Sequence, residues 1–235
     1  MPDSPPKASL LDRLRRQSDA LRDEQSASRR PQEEAIKEID RRLWRAFKWI
    51  DEAISHLEVI RPHVAHDFAI PGVLTIAAPR YDRGFVSYRR KPMGGQDVLD
   101  HVELFYRLDG GTPVELKVQP SAAGATEERL RGAHLQFEYQ TEQDASRVVR
   151  YGRFIVTPAV TASVRFEPDY RQQVVDVTLR NVDRFESVCL EFGGEAIDEA
   201  VLEDLLRFML GEANTFLRRA PLAGLGRRPV LALAK

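Results

Sequence analysis

A short run of arginine and aromatic residues is the first feature of the sequence that could do chemistry. Residues 80–91 read Arg-Tyr-Asp-Arg-Gly-Phe-Val-Ser-Tyr-Arg-Arg-Lys, and their alternation predicts a strand. One face of this strand would carry Tyr81, Arg83, Phe85, Ser87 and Arg89. Cations beside aromatic rings can hold phosphates and stack on unpaired bases. The candidate nucleic-acid-binding residues are Arg83, Phe85, Arg89, Arg90 and Lys91. The alternative is that Phe85 faces the core while arginine stems cover its edges.

A second candidate site is the strand 114–118, in which Glu115 and Lys117 share one face. Three aspartates precede it, namely Asp97, Asp100 and Asp109. An acidic residue ahead of a strand carrying Glu-x-Lys resembles the metal site of the PD-(D/E)xK nuclease superfamily. The resemblance covers roughly twenty residues. It implies that the carboxylates of Asp100 and Glu115 hold Mg²⁺ and that Lys117 positions the attacking water. The same alternation also fits an ordinary exposed strand face.

Histidine and cysteine residues provide few further options. His63 and His66 stand close to Asp67 and could be metal ligands, but Pro62 argues against a helix that would align them. Surface or junction histidines are the alternative. Cys189 is the only cysteine, so no disulfide can form within the chain, and a buried, inert thiol is the expected state. We therefore predict no cofactor.

The composition predicts a globular protein with no strong overall field. The chain has 235 residues, of which 43% are hydrophobic, so it can bury a substantial core. Lys and Arg total 35 against 36 Asp and Glu, which leaves a net charge of -1. Any electrostatic binding must therefore come from a local patch. The polar start of the chain and the absence of a long apolar run predict a cytoplasmic protein with no membrane span.

The N-terminal quarter predicts a helical arm over residues 9–61, built from two helices with a break near 26–31. Leu10, Leu14 and Leu21 give the first helix a thin apolar side, and Pro31 is suited to begin the second. From Ile36 the apolar spacing alternates between three and four, which is typical of a coiled coil or helical hairpin. The predicted partner-binding residues are Ile36, Ile39, Leu43 and Ile50. A hairpin folded back on the sheet is the alternative.

The remainder predicts an antiparallel β domain over residues 72–220 with a C-terminal helix at 198–219. Nine short strands alternate apolar and polar residues and are joined by tight turns, so the sheet should be sandwich-like or strongly curved. Residues 91–97 and 120–128 are predicted to be longer loops, and Asp198 to cap the last helix. Residues 1–8 and 221–235 should be loosely ordered. The fold class is therefore α+β.

These features favour a non-enzymatic interaction or assembly protein whose arm self-associates or docks a protein partner. One alternative is a nucleic-acid-binding protein that uses residues 80–91, and a metal-dependent nuclease that uses Glu115 and Lys117 is another. A small-molecule site between the sheet and the C-terminal helix is the third.

Overall fold

A single long helix begins the part of the chain described by the computed structural model, which covers residues 10–222. Helix α1 runs from Leu10 to Ile60 without a break and contains 51 residues. The prediction of two helices separated at 26–31 is therefore wrong. No glycine lies in that segment and strong helix formers flank it, so the cost of one internal proline is carried by the turns on either side. The predicted disorder of residues 1–8 concerns residues outside this range.

Ten strands follow within the described residues, and they form three antiparallel sheets. The strands are β1 (Phe68–Ile70), β2 (Leu74–Ile76), β3 (Arg80–Met93), β4 (Gln96–Asp109), β5 (Val114–Val118), β6 (Gln136–Gln143), β7 (Val149–Thr157), β8 (Ala159–Asp169), β9 (Val174–Arg180) and β10 (Ser187–Gly193). The largest sheet has the order β10-β9-β8-β4-β3. The prediction of an α+β fold with antiparallel sheets is confirmed, whereas β1 was missed because it has only three residues.

The hairpin of β3 and β4 is longer than its sequence pattern predicts. Residues 91–97, predicted to be a loop, continue both strands to a two-residue turn at Gly94-Gly95. Both glycines have positive φ values, 59° and 81°, as a tight hairpin turn of this kind requires. The prediction missed this end of β3 because Lys91, Pro92 and Met93 lack the apolar alternation of the preceding residues.

One face of the five-stranded sheet is covered by helices, and there the main core forms. The second half of α1 packs on β3 and β4, and helix α3 (Glu199–Leu210) packs beside it. Strand residues that face these helices are fully buried, among them Leu104, Val164 and Val177. They alternate with polar residues that point to the other face. Among residues 10–222, no helix or strand covers that other face.

A smaller sheet of order β5-β7-β6 continues beyond a corner in the chain. At this corner Gly110 donates its backbone N–H to the carbonyl of Pro158 at 2.7 Å. Helix α2 (Pro120–Gly132) lies on one face of the small sheet and buries Ala123 and Leu130. Residues 120–128 are therefore helical and not the predicted loop, because Pro120 starts the helix and buried residues return every three to four positions, at Ala123, Thr126 and Leu130.

The C-terminal helix is shorter than predicted. Asp198 caps α3 as expected by accepting a hydrogen bond from the Val201 N–H, but the helix ends at Leu210 instead of residue 219. Gly211 adopts a left-handed φ of 75° and stops it. The following segment includes a short 3-10 helix, Phe216–Arg218. Its Arg219 and Thr215 bond to Asp204, and the Arg219 guanidinium holds the pKa of that carboxyl below its ordinary value.

The two edges of the large sheet differ in how they are protected. The C-terminal segment lies along the outer edge of β10. Glu191 donates its N–H to the Pro221 carbonyl, and Leu190 forms a β-bridge with Leu222. Strand β3 is the other edge, where the Gly84 N–H points to Glu58 of α1 at 3.3 Å. Most of the predicted C-terminal tail lies outside the described residues. Among residues 10–222, no helix is both long and apolar enough to cross a membrane.

Candidate interaction surfaces

The predicted partner-binding residues of α1 lie in the core of their own chain. Ile36, Ile39, Leu43 and Ile50 are all buried in the hydrophobic core that α1 shares with the sheet and α3. The prediction that they bind a partner is corrected accordingly. A heptad spacing indicates only that one side of a helix is covered, and a sheet covers it as well as a second helix does.

The first half of α1 has a different environment. No described side chain before Ile36 is buried. Leu10 and Leu14 are 65% and 53% exposed, and Leu11 beside them is also exposed. We call residues 10–35 the arm, which is about 39 Å of helix at 1.5 Å per residue. Because large apolar side chains are costly to leave in water, the arm tip is a candidate interaction surface.

The uncovered face of the large sheet carries a second candidate surface. Phe85 and Phe105 are cross-strand partners whose rings stack with centroids 5.2 Å apart. Arg83 and Arg107 form the neighbouring cross-strand pair. Arg180 reaches the same row through Ser163, which pairs with Phe105 on one side and with Arg180 on the other. We call Arg83, Phe85, Phe105, Arg107 and Arg180 the aromatic–arginine patch.

A β-bulge changes the predicted face of Tyr81. The register shifts between Tyr81 and Arg83, so Tyr81 turns to the covered face and is buried, whereas Arg83 stays on the open one. The ring of Tyr81 lies over Gly84, where a Cβ atom would stand 2.3 Å from the tyrosine hydroxyl oxygen. Burial raises the pKa of Tyr81. The prediction that Tyr81 shares a face with Phe85 is wrong because period-two alternation fails at a bulge.

The other predicted nucleic-acid-binding residues do not all join the patch. Arg89 remains on the open face opposite His101. Arg90 donates to the Asp97 carbonyl at 2.9 Å and lies over the Trp44 ring of α1 at 5.6 Å, so it lies on the covered face, as alternation from Arg89 requires. Lys91 is tied to Asp100 at 3.0 Å. Phe105, Arg107 and Arg180 were missed because their proximity depends on strand pairing.

The three nuclease candidates are distributed over two sheets. Asp100 lies near the middle of β4, and the ammonium of Lys91 keeps its pKa below the usual value. Glu115 accepts from Arg153 at 2.7 Å. Lys117 pairs with Glu142 at 2.6 Å, a contact that raises the lysine pKa. In the described part of the chain, no three His, Cys, Asp or Glu side chains are grouped to hold a metal ion. These contacts favour the interpretation that Glu115 and Lys117 belong to an ordinary exposed strand face.

The predicted metal histidines are held by backbone groups. His63 Nδ1 lies 3.0 Å from the Ala78 carbonyl, and Nε2 of His66 lies 2.7 Å from the Phe208 carbonyl. Each ring therefore links two parts of the chain. Cys189 is half-buried on the open face of the sheet. This partial burial raises the pKa of its thiol.

The cavity predicted between the sheet and α3 is very small. The space bounded by α1, β4 and α3 measures about 10 Å³, far below the several hundred Å³ of a typical ligand site. An open groove of about 430 Å³ lies beside the β3–β4 turn. Its lining mixes Lys91 and Arg171 with Glu167, so it selects neither sign of ligand charge.

The arm and the aromatic–arginine patch are thus two exposed surfaces of residues 10–222 that offer binding chemistry. Compared with known proteins, the chain matches no family model, no curated protein and no solved structure.

Proposed function

We propose that this chain is an assembly protein that self-associates through the arm of α1. The observation that carries the proposal is a helix of 51 residues in which the buried side chains, among those that the structure describes, begin at Ile36. The tip places Leu10 and Leu14 in solvent. A helical extension of this kind is marginally stable alone and gains stability when a second helix covers its apolar side.

Two apolar residues of the arm, Leu11 and Leu14, continue the side of α1 that already faces the core. At 3.6 residues per turn, Leu14 lies about 40° and Leu11 about 20° around the axis from Ile36. A helix that covers the arm would therefore extend the packed side of α1 in line with the sheet. The stripe is covered from Ile36 onward, and Leu11 and Leu14 at its far end are exposed.

The charges on the described side chains of the arm favour a second copy in the antiparallel direction. Arg13, Arg15 and Arg16 are exposed near the tip, and Glu33 and Glu34 are exposed near the base. A parallel pair would place the three arginines of both copies together, which is unfavourable. An antiparallel pair places the arginines of each copy beside the glutamates of the other. Such a pair has two-fold symmetry, the commonest symmetry of homo-oligomers.

Acidic substitutions at the arm tip test the proposal. We expect the full chain to be dimeric by light scattering at the higher end of a concentration series, and Leu10→Asp with Leu14→Asp to be monomeric throughout. Ala20→Asp is the matched control, because Ala20 is exposed and lies about 120° around the helix from Leu14. A monomeric full chain, or equal association by the double variant, would refute self-association through the arm.

Charge exchange tests the antiparallel direction separately. One variant carries Glu at positions 13, 15 and 16, and the other carries Lys at positions 33 and 34. Each should associate at least about tenfold more weakly than the natural chain, since several like charges then meet at both ends. An equimolar mixture should recover association. If the arginine variant alone associates normally, the arms are not antiparallel, although self-association itself would stand.

A further inference from the structure

We propose that the aromatic–arginine patch binds single-stranded nucleic acid. This goes beyond assembly, since it concerns a different surface, on the face of the sheet opposite α1. The chemistry is that of a stacked ring pair with an exposed Phe85, two guanidinium groups in the neighbouring row and a third at the end of its own row. This combination suits a ligand that has both flat bases and phosphates.

The patch occupies two adjacent cross-strand rows near the end of the sheet where β3 begins. One row contains Phe85, Phe105, Ser163, Arg180 and Ser187, and the other contains Arg83, Arg107 and Thr161. With strands about 4.8 Å apart, the distance from Phe85 to Arg180 across the sheet is about 14 Å. Phe85 is 59% exposed, so its ring face is open to a base.

The pairing of Arg83 with Arg107 is costly for the fold alone. Like charges directly opposite each other on a sheet destabilise it. Asp82 offsets this only weakly, since its Oδ2 lies 3.9 Å from Arg83 Nε and 3.6 Å from Arg107 Nε. The Arg107 Nε is buried and has no hydrogen-bond partner among the described residues. A phosphate between the two guanidinium groups would relieve both costs.

Charge complementarity also limits how a ligand can lie on the sheet. The rows farther from the patch carry Glu103, Glu167, Asp176 and Glu191, with Arg165 bonded to Glu167 at 3.2 Å. A polyanion is therefore held at the patch and repelled from this acidic region. The expected path runs across the strands along the two patch rows, and not along β3 towards Lys91.

Fluorescence anisotropy of a labelled single-stranded oligothymidylate with the full chain tests the proposal. We expect binding that weakens as salt rises from about 50 to about 200 mM. Phe85→Ser should weaken it about tenfold or more through lost stacking, and Arg83→Glu to a similar extent. Arg131→Glu on α2 is the control, because both arginine side chains are 71% exposed and both changes alter the charge equally.

Three results would overturn the proposal. The first is the absence of oligothymidylate binding at about 50 mM salt, where phosphate contacts are strong. The second is an equal loss of affinity in Arg131→Glu and Arg83→Glu, which would indicate a general charge effect. The third is an unchanged affinity of Phe85→Ser for oligothymidylate, which would remove the role of base stacking. Unchanged near-ultraviolet circular dichroism in the variants excludes misfolding as the cause.

Discussion

Replacing Leu43 by alanine is expected to destabilise the protein by about 2–5 kcal/mol. Leu43 is 0% exposed and lies where α1 crosses the sheet, so alanine would leave a cavity lined by residues of both. This is a large part of the about 5–15 kcal/mol that stabilises an ordinary domain. Urea unfolding followed by circular dichroism measures the change.

Val59→Ala provides the matched control for Leu43→Ala. Val59 belongs to the same helix but is 84% exposed, so the substitution should change the unfolding free energy by less than about 0.5 kcal/mol. Equal losses of unfolding free energy at the two positions would mean that α1 does not pack on the sheet through Leu43. Leu43 would then become available to a partner again.

The second large effect is expected at the corner between the two sheets. A Cβ atom on Gly110 would stand 2.5 Å from the Pro158 carbonyl oxygen and 2.5 Å from Ile76 Cγ2. The backbone oxygen cannot move without breaking its 2.7 Å bond to the Gly110 N–H. Gly110→Ala should therefore destabilise the protein by about 3 kcal/mol, at the upper end of ordinary overpacking.

The opposite sign is expected for the same change on α2. A Cβ atom on Gly124 meets nothing within 4 Å, and alanine is the better helix former by about 0.5–1 kcal/mol. Gly124→Ala should raise the unfolding free energy by that amount. The midpoints of thermal unfolding of both variants test these two expectations. A stabilised Gly110→Ala would show that the corner has room for a Cβ atom at Gly110.

Much of the β domain could be predicted because its sequence signals are local. The strand 114–118 has the predicted bounds, and Asp198 caps α3 as its position suggested. The alternation of apolar and polar residues is imposed by one covered and one open face, so it can be read without knowing the strand order. The errors at residues 91–97 and 120–128 arose where that alternation is weak.

The surfaces were harder to predict because they depend on long-range pairing. Arg83 and Phe85 were found on their own strand, but Phe105 and Arg107 lie about twenty residues away and join them only through the β3–β4 register. The bulge that separates Tyr81 from Arg83 leaves no clear mark in the sequence. The heptads of α1 were read correctly as a covered side, but the pattern could not identify what covers it.

The arm and the core section of α1 now have separate expected roles. The section from Ile36 to Leu57 holds the β domain together, whereas the arm before it should be dispensable for folding and required for assembly. A deletion must therefore end before Ile36. Removing residues 1–60 would take away part of the core and could not distinguish assembly from misfolding.

The most direct test compares the molar mass of the full chain with that of a chain lacking residues 1–31, by light scattering at matched concentrations. We expect a dimer of about twice the 26.7 kDa chain mass for the former. We expect a folded monomer, with unchanged near-ultraviolet circular dichroism, for the latter. A dimer that survives the deletion, or a full chain that stays monomeric at every concentration, would contradict assembly through the arm.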